Sequence, residues 1–327
     1  MPCSGGDRPV TGADLGSGRA AEAVGNRLNG RVPDSVVTLD GGLSNALEDR
    51  GHDLSSDLWT ARLLLDDPGE IAAVHEAYYR AGADVATTAS YQASVPGLVA
   101  AGLERTRAEA VIRASVTVAR DTRDRLADEL GRPLLVAASV GPYGAYLADG
   151  SEYRGRYGVS ARVLRDFHAP RLELLAAAGP DLLAVETVPD VDEAEVLVSL
   201  LADLGLPAWF SYAVAGDATR AGQPLTAAYD VVAGCEPLVA VGVNCSSPYD
   251  VGGALAAART ATGLPGVAYP NLGEAWDAER HAWTGAPEYD VALAPGWVAA
   301  GAAYVGGCCR VGPGLIGELR ARLSGRG

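Results

Sequence analysis

The feature that most constrains this chain is an alternation of eight short apolar runs with segments that repeat at helical spacing. The runs cover residues 36–40, 83–89, 134–140, 181–187, 207–212, 239–245, 266–270 and 302–307. Between them lie stretches such as 69–81, where Ile71, Val74, His75, Tyr78 and Tyr79 recur on one helical face. Pro68 suits the first turn of that helix. Further helices are expected over 44–50, 103–130, 160–178, 189–204, 227–234, 250–262, 291–300 and 315–323. Strict strand–helix alternation argues for a parallel sheet. Eight such units make a single closed (β/α)8 TIM barrel, a fold that carries its active site on the C-terminal rim.

On that fold the polar groups share an address. Asp40, Tyr91, Glu186, Asn244, Cys245, Cys308 and Cys309 all fall at or just past C-terminal strand ends. Asp40 is followed by Gly41-Gly42, which can set a carboxylate and free backbone N–H groups at a pocket or simply close a turn. Residues 141–157 form a long polar loop with Tyr143, Tyr146, Asp149, Glu152 and Tyr153, at the end of a barrel where function usually sits. His75 reads as a surface or core-edge residue rather than a ligand.

The cysteines are the most specific signal. Neighbouring side chains on a strand point to opposite faces, so Cys308 and Cys309 reach one target only if the chain turns there. Gly306-Gly307 supplies that freedom, since glycine tolerates positive φ. Cys245 ends strand six, and with the pair on strand eight it straddles strand seven. Three thiolates with an open fourth position make a catalytic zinc site. Two other readings stand beside it: small buried hydrophobes, or a redox protein with a vicinal Cys308–Cys309 disulfide. Convergence over a barrel mouth puts the metal first. Cys3 and Cys235 receive no role.

Composition narrows the partners. A net charge of -15 with no basic cluster argues against nucleic acid and anionic membranes and favours a cationic or zwitterionic small molecule. Five cysteines, an odd number without a disulfide framework, suit a reducing cytoplasm. No apolar run is long enough to span a membrane, and the N-terminus lacks a hydrophobic signal core. Residues 1–33, rich in Gly, Ser, Arg and Asp, read as a mobile tail ahead of a catalytic domain over 34–327.

Six stretches in order resemble the homocysteine S-methyltransferase family. They are Leu39-Asp40-Gly41-Gly42, Thr88-Ala89-Ser90-Tyr91-Gln92, Val140-Gly141-Pro142-Tyr143-Gly144, Val185-Glu186-Thr187, Val243-Asn244-Cys245 and Gly306-Gly307-Cys308-Cys309. The loop over 141–157 is most similar to the branch that uses S-methylmethionine. The resemblance implies zinc held by Cys245, Cys308 and Cys309, with Asp40 and Glu186 near the amino-acid head group of homocysteine. Gly41, Gly42 and Asn244 complete the expected substrate-binding set. It also implies methionine as product, S-adenosylmethionine as a second donor, and selenocysteine as an alternative acceptor.

The chemistry agrees with the residues. A free thiol is mostly protonated at neutral pH, and a metal removes that proton, so no protein general base is assigned in a chain with four His. Trp59, Tyr91 and Tyr143 form a candidate donor pocket, either facing the sulfonium through cation–π contact or merely lining the mouth.

Overall fold

The computed structural model describes residues 35–54, 60–277 and 282–325. The expected tail over 1–33, with Cys3, and the donor-pocket candidate Trp59 lie outside the described residues.

Eight parallel strands form the barrel: β1 (Val37–Thr38), β2 (Val85–Thr87), β3 (Leu135–Val140), β4 (Leu182–Val188), β5 (Ala208–Tyr212), β6 (Leu238–Asn244), β7 (Gly266–Tyr269) and β8 (Ala302–Val305). No strand end departs from its expected run by more than two residues. Each strand pairs with its neighbours in sequence, and β1 pairs with β8 through Val37↔Tyr304 and Thr38↔Val305. A lone bridge, Leu39↔Val85, joins β1 to β2 and completes the ring. The barrel interior is packed with Val37, Leu39, Val85, Leu135, Leu182, Trp209, Val267 and Tyr304. A second, larger apolar layer lies between the strands and the outer helices. Strands buried on both faces read as continuous apolar runs, which is why they were legible. Among the described residues no helix is long and apolar enough to cross a membrane.

Short elements escape periodicity. The helices Thr60–Asp66, Val95–Ala100 and Tyr143–Leu147 each span fewer than two full turns. The expected helix over 291–300 is a 3-10 turn, Val291–Leu293, running into Ala294–Ala299 with Pro295 in its first turn. His75 is fully buried rather than at an edge, and burial lowers its pKa to about 4, which keeps it neutral.

The β1–β2 seam is the weakest part of the ring, because β1 is two residues long. Asp84 compensates. Its carboxylate, 1% exposed, accepts from the Thr38 N–H (3.1 Å), from Arg132 (2.9 Å) and from Arg320 on the C-terminal helix Pro313–Leu323 (2.7 Å). One buried acid thus ties the first strand, the second strand and the last helix together. Removing one partner of a buried ion pair is strongly destabilising. Asp84→Ala should lower unfolding free energy by about 3 kcal/mol in urea titrations, whereas a change under about 0.5 kcal/mol would show that the seam does not depend on it.

Candidate active site

Three thiols meet over the barrel mouth. Cys245 follows β6, and Cys308 and Cys309 lie in the turn after β8. The Cys245 and Cys309 sulfurs are 3.6 Å apart, the Cys308 and Cys309 sulfurs 3.9 Å, and all three lie within 4.8 Å of one another. All are free thiols. The exit of β7 stitches the two turns together: Cys245 N–H donates to Tyr269 O (3.2 Å) and Cys308 N–H to Pro270 O (2.8 Å). Asn271 Oδ1 accepts from the Cys309 N–H (3.2 Å), and Leu272 N–H returns to Cys309 O (2.9 Å).

The turn is made differently from the sequence expectation. Neither Gly306 nor Gly307 has positive φ; the left-handed residues are Cys245 (φ 51°) and Arg310 (φ 65°). The glycines are needed for closeness instead. A Cβ on Gly306 would stand 2.6 Å from Leu39 Cβ, and one on Gly307 2.2 Å from Val311 Cγ1. On Gly41 it would stand 2.0 Å from Val311 O. The Gly42 N–H donates to Val311 O (3.0 Å), so it is not free for a ligand.

The two expected carboxylates are both buried. Asp40 accepts from the Thr87 N–H and hydroxyl, each at 2.7 Å, and Glu186 accepts from the Ser139 hydroxyl. Burial outweighs these bonds and pushes both carboxyls up to about 7. Asn244 is committed to the scaffold. Its Oδ1 accepts from the Thr187 N–H (2.7 Å) and the Ser211 hydroxyl (2.8 Å), and its Nδ2 donates to Thr187 Oγ1 (2.8 Å). It thereby fixes Thr187, which has φ 60°, and with it the neighbouring Glu186. Tyr91 is half-buried; burial and then the negative charge of Cys245 push its hydroxyl up. Tyr143 packs among Tyr146, Tyr157 and Phe167, with ring centroids at 5.6, 5.5 and 5.0 Å.

Other residues shape the site: Tyr153 and Glu152, expected only as members of the polar loop over 141–157, and Arg171 and Glu193, which received no role from sequence. The Tyr153 hydroxyl is 3.8 Å from Cys245 Sγ. Glu152 beside it is 7% exposed, and burial pushes it up to about 7. Arg171, 1% exposed on the helix Ala161–Ala177, donates to the carbonyls of Gly141 (2.9 Å), Ser90 (2.8 Å) and Tyr91 (2.6 Å). It locks the exits of β2 and β3. Glu193 takes the Tyr143 N–H (2.5 Å), the Tyr157 hydroxyl (2.9 Å) and His168 Nε2 (2.8 Å), anchoring both ends of the loop over 141–157. Arg171 had a readable signal, since it shares a helical stripe with Leu164, Phe167, His168 and Leu175. Glu152 had none beyond its place in a polar loop.

The donor set fits a tetrahedral metal. With sulfurs at about 2.3 Å from zinc, tetrahedral geometry separates them by about 3.8 Å, close to the 3.6 and 3.9 Å found here. Hydrogen bonds from Cys308 and Cys309 hold the Cys245 thiol well below its ordinary value, while their hydrogen bonds to Cys245 push the Cys308 and Cys309 thiols well above theirs.

Comparison with known proteins gives one answer. The homocysteine S-methyltransferase family model matches residues 37–323. The chain is 45% identical over 294 residues to the homocysteine S-methyltransferase of Escherichia coli (strain K12), covering 88% of this chain and 95% of that one. It is 40% identical over 308 residues to the selenocysteine Se-methyltransferase of Brassica oleracea var. italica, covering 88% and 89%. The metallated form of the homocysteine methyltransferase MmuM from Escherichia coli superposes with a TM-score of 0.81 at 42% identity, covering 88% of this chain and 96% of that one.

The buried carboxyls give the site a pH signature. Glu186 ionises near 4.5 in an unfolded chain and near 7 in the fold. A carboxyl raised by folding favours the native state while protonated, and that contribution is lost as pH rises through the folded pKa. The parent should therefore lose stability relative to Glu186→Gln from about pH 4.5 to about 7, then level off. Urea melts of the two metal-free proteins across that range check this; a difference independent of pH would contradict it.

Proposed function

Because the chain belongs to the homocysteine S-methyltransferase family, we propose that it moves a methyl group from a sulfonium donor to the thiol of L-homocysteine, giving methionine. S-methylmethionine is the favoured donor and S-adenosylmethionine the second. The observation that carries this reading is the convergence of Cys245, Cys308 and Cys309 at spacings that suit zinc. That all three thiols are free and share one target favours it over a redox disulfide. A relative solved in a metallated form supports a metal here, and a site of three thiolates suits zinc.

Zinc supplies the acidity that lets an acceptor thiol lose its proton at neutral pH. The rest falls to the protein. Asp40 and Glu186 present buried carboxyls to the acceptor's ammonium group, and pairing with that charge ionises them. Asn244 and Arg171 keep the strand exits in place. In the transfer, a lone pair on the acceptor sulfur forms the new S–C bond as the donor's S–CH3 bond breaks. The donor's positive charge disappears onto a neutral thioether. A dry pocket lined by acids favours a step that neutralises charge. No side chain has to take a proton from carbon, and among the described residues no histidine hydrogen-bonds to the three thiols.

A second acceptor, selenocysteine, is kept because of the Brassica relative named for that activity. A reducing compartment such as the cytoplasm suits an enzyme that needs three free thiols.

The test combines metal analysis with an assay of homocysteine against a panel of methyl donors. Protein purified under reducing conditions should carry about one zinc per chain, and S-methylmethionine should give the highest turnover. Cys245→Ala should lose the metal and at least about 100-fold in activity while keeping its melting transition. Full activity in metal-free protein would contradict the proposal.

A further inference from the structure

One buried acid on the active-site rim has an oxygen with nothing to bind. Oε2 of Glu152 is buried without a hydrogen-bond partner. Glu152 is 7% exposed and sits in the 3-10 turn Ser151–Tyr153 of the loop after β3. Its neighbour Tyr153 reaches to 3.8 Å from Cys245 Sγ, so this turn lies against the thiol cluster. The charge of Glu152 is also felt by Tyr91, the other tyrosine near Cys245. The turn is held firmly. A Cβ on Gly144 would meet the Glu152 backbone nitrogen at 2.3 Å, Gly155 N–H donates to Ser151 O (2.8 Å), and Asp149 accepts from the Ser151 N–H (2.9 Å). These contacts fix the backbone of the turn from which the Glu152 side chain extends.

Leaving a carboxyl oxygen buried without a donor is unfavourable. A fold that fixes one in this position points to a ligand that brings the missing N–H. Asp40 and Glu186 already address the acceptor, from the exits of β1 and β4. Glu152 comes from a separate element. A transfer between two amino acids presents two ammonium groups, one on the acceptor and one on the donor. A sulfonium has no hydrogen to donate, so the free oxygen suits an ammonium better than the sulfonium itself.

We propose that Glu152 is the donor-specificity residue, its free carboxylate oxygen receiving the α-ammonium group of a sulfonium amino acid while Asp40 and Glu186 receive that of the acceptor. This rests on the methyltransferase reading of the site. It assigns the loop over 141–157 to the donor and makes the enzyme selective for sulfonium compounds that are amino acids.

The test compares S-methylmethionine with dimethylsulfoniopropionate, a sulfonium carboxylate without the amine. Each is assayed at saturating homocysteine with zinc-loaded protein, or as a competitive inhibitor of S-methylmethionine if it is not turned over. Glu152→Gln should lower kcat/KM for S-methylmethionine by about 10-fold or more. It should leave the constant for the amine-free compound within about twofold, with zinc content and the KM for homocysteine unchanged. Glu152→Asp, which keeps the charge but shortens its reach, should fall between parent and Glu152→Gln and guards against a folding defect in the amide variant. Equal losses with both compounds, or no loss with either, would overturn the proposal while leaving the methyltransferase reading intact. A parent protein that transfers no methyl group to homocysteine from any sulfonium donor tested would instead defeat that reading, and this inference with it.

Discussion

The structure depends on two backbone hydrogen bonds at the end of β7. Tyr269 O holds Cys245 and Pro270 O holds Cys308, so one strand exit fixes the turns on both sides of it. Sulfurs from two turns far apart in sequence are thereby set within 4.8 Å of one another. The arrangement needs a closed ring, since Gly307 N–H also donates to Asp40 O just past the first strand (3.0 Å). It needs glycine where the chain passes closely, against the Val311 carbonyl at Gly41 and against the Val311 side chain at Gly307. Barrel closure, glycine contacts and the thiol cluster are one mechanical unit.

Charge is distributed around that unit with a consistent sign. Burial brings Asp40, Glu152 and Glu186 up to about 7, so each stands near the midpoint of its titration at neutral pH. Such groups are held neutral at little cost in an empty pocket and ionise when a cation enters. The reaction proposed here brings ammonium groups and a sulfonium into this space. Arg171, the buried cation nearby, directs its two terminal nitrogens to the Ser90, Tyr91 and Gly141 carbonyls.

Much of this could be read from the chain because buried parallel strands announce themselves as apolar runs. Once their ends were placed, Asp40, Glu186 and the three cysteines fell on one rim. What could not be read is what each group touches. The strand end placed Asn244 on the rim, but not that its amide bonds Thr187 and Ser211. Nor could the sequence show that the Tyr143 ring packs against Phe167, a residue on a later helix. Gly306 and Gly307 were given the right importance for the wrong reason, since close approach depends on Leu39 and Val311, residues remote in sequence. Glu152 could be placed in a functional loop but given no role of its own, because an acid there looks the same whether it faces water or a ligand.

The central claim is that the acceptor sulfur is activated by losing its proton on binding at the three-cysteine site. Calorimetric titration of zinc-loaded protein in buffers of different ionisation enthalpy measures that proton. Asp40 and Glu186 will also shed a fraction of a proton when an ammonium group pairs with them, so methionine serves as the reference: it has the same amine but no thiol. At pH 7 homocysteine should release about one proton more per chain than methionine, with the excess shrinking as pH passes the free-thiol pKa of about 8.5. Equal release by the two ligands, with both bound, would contradict the account.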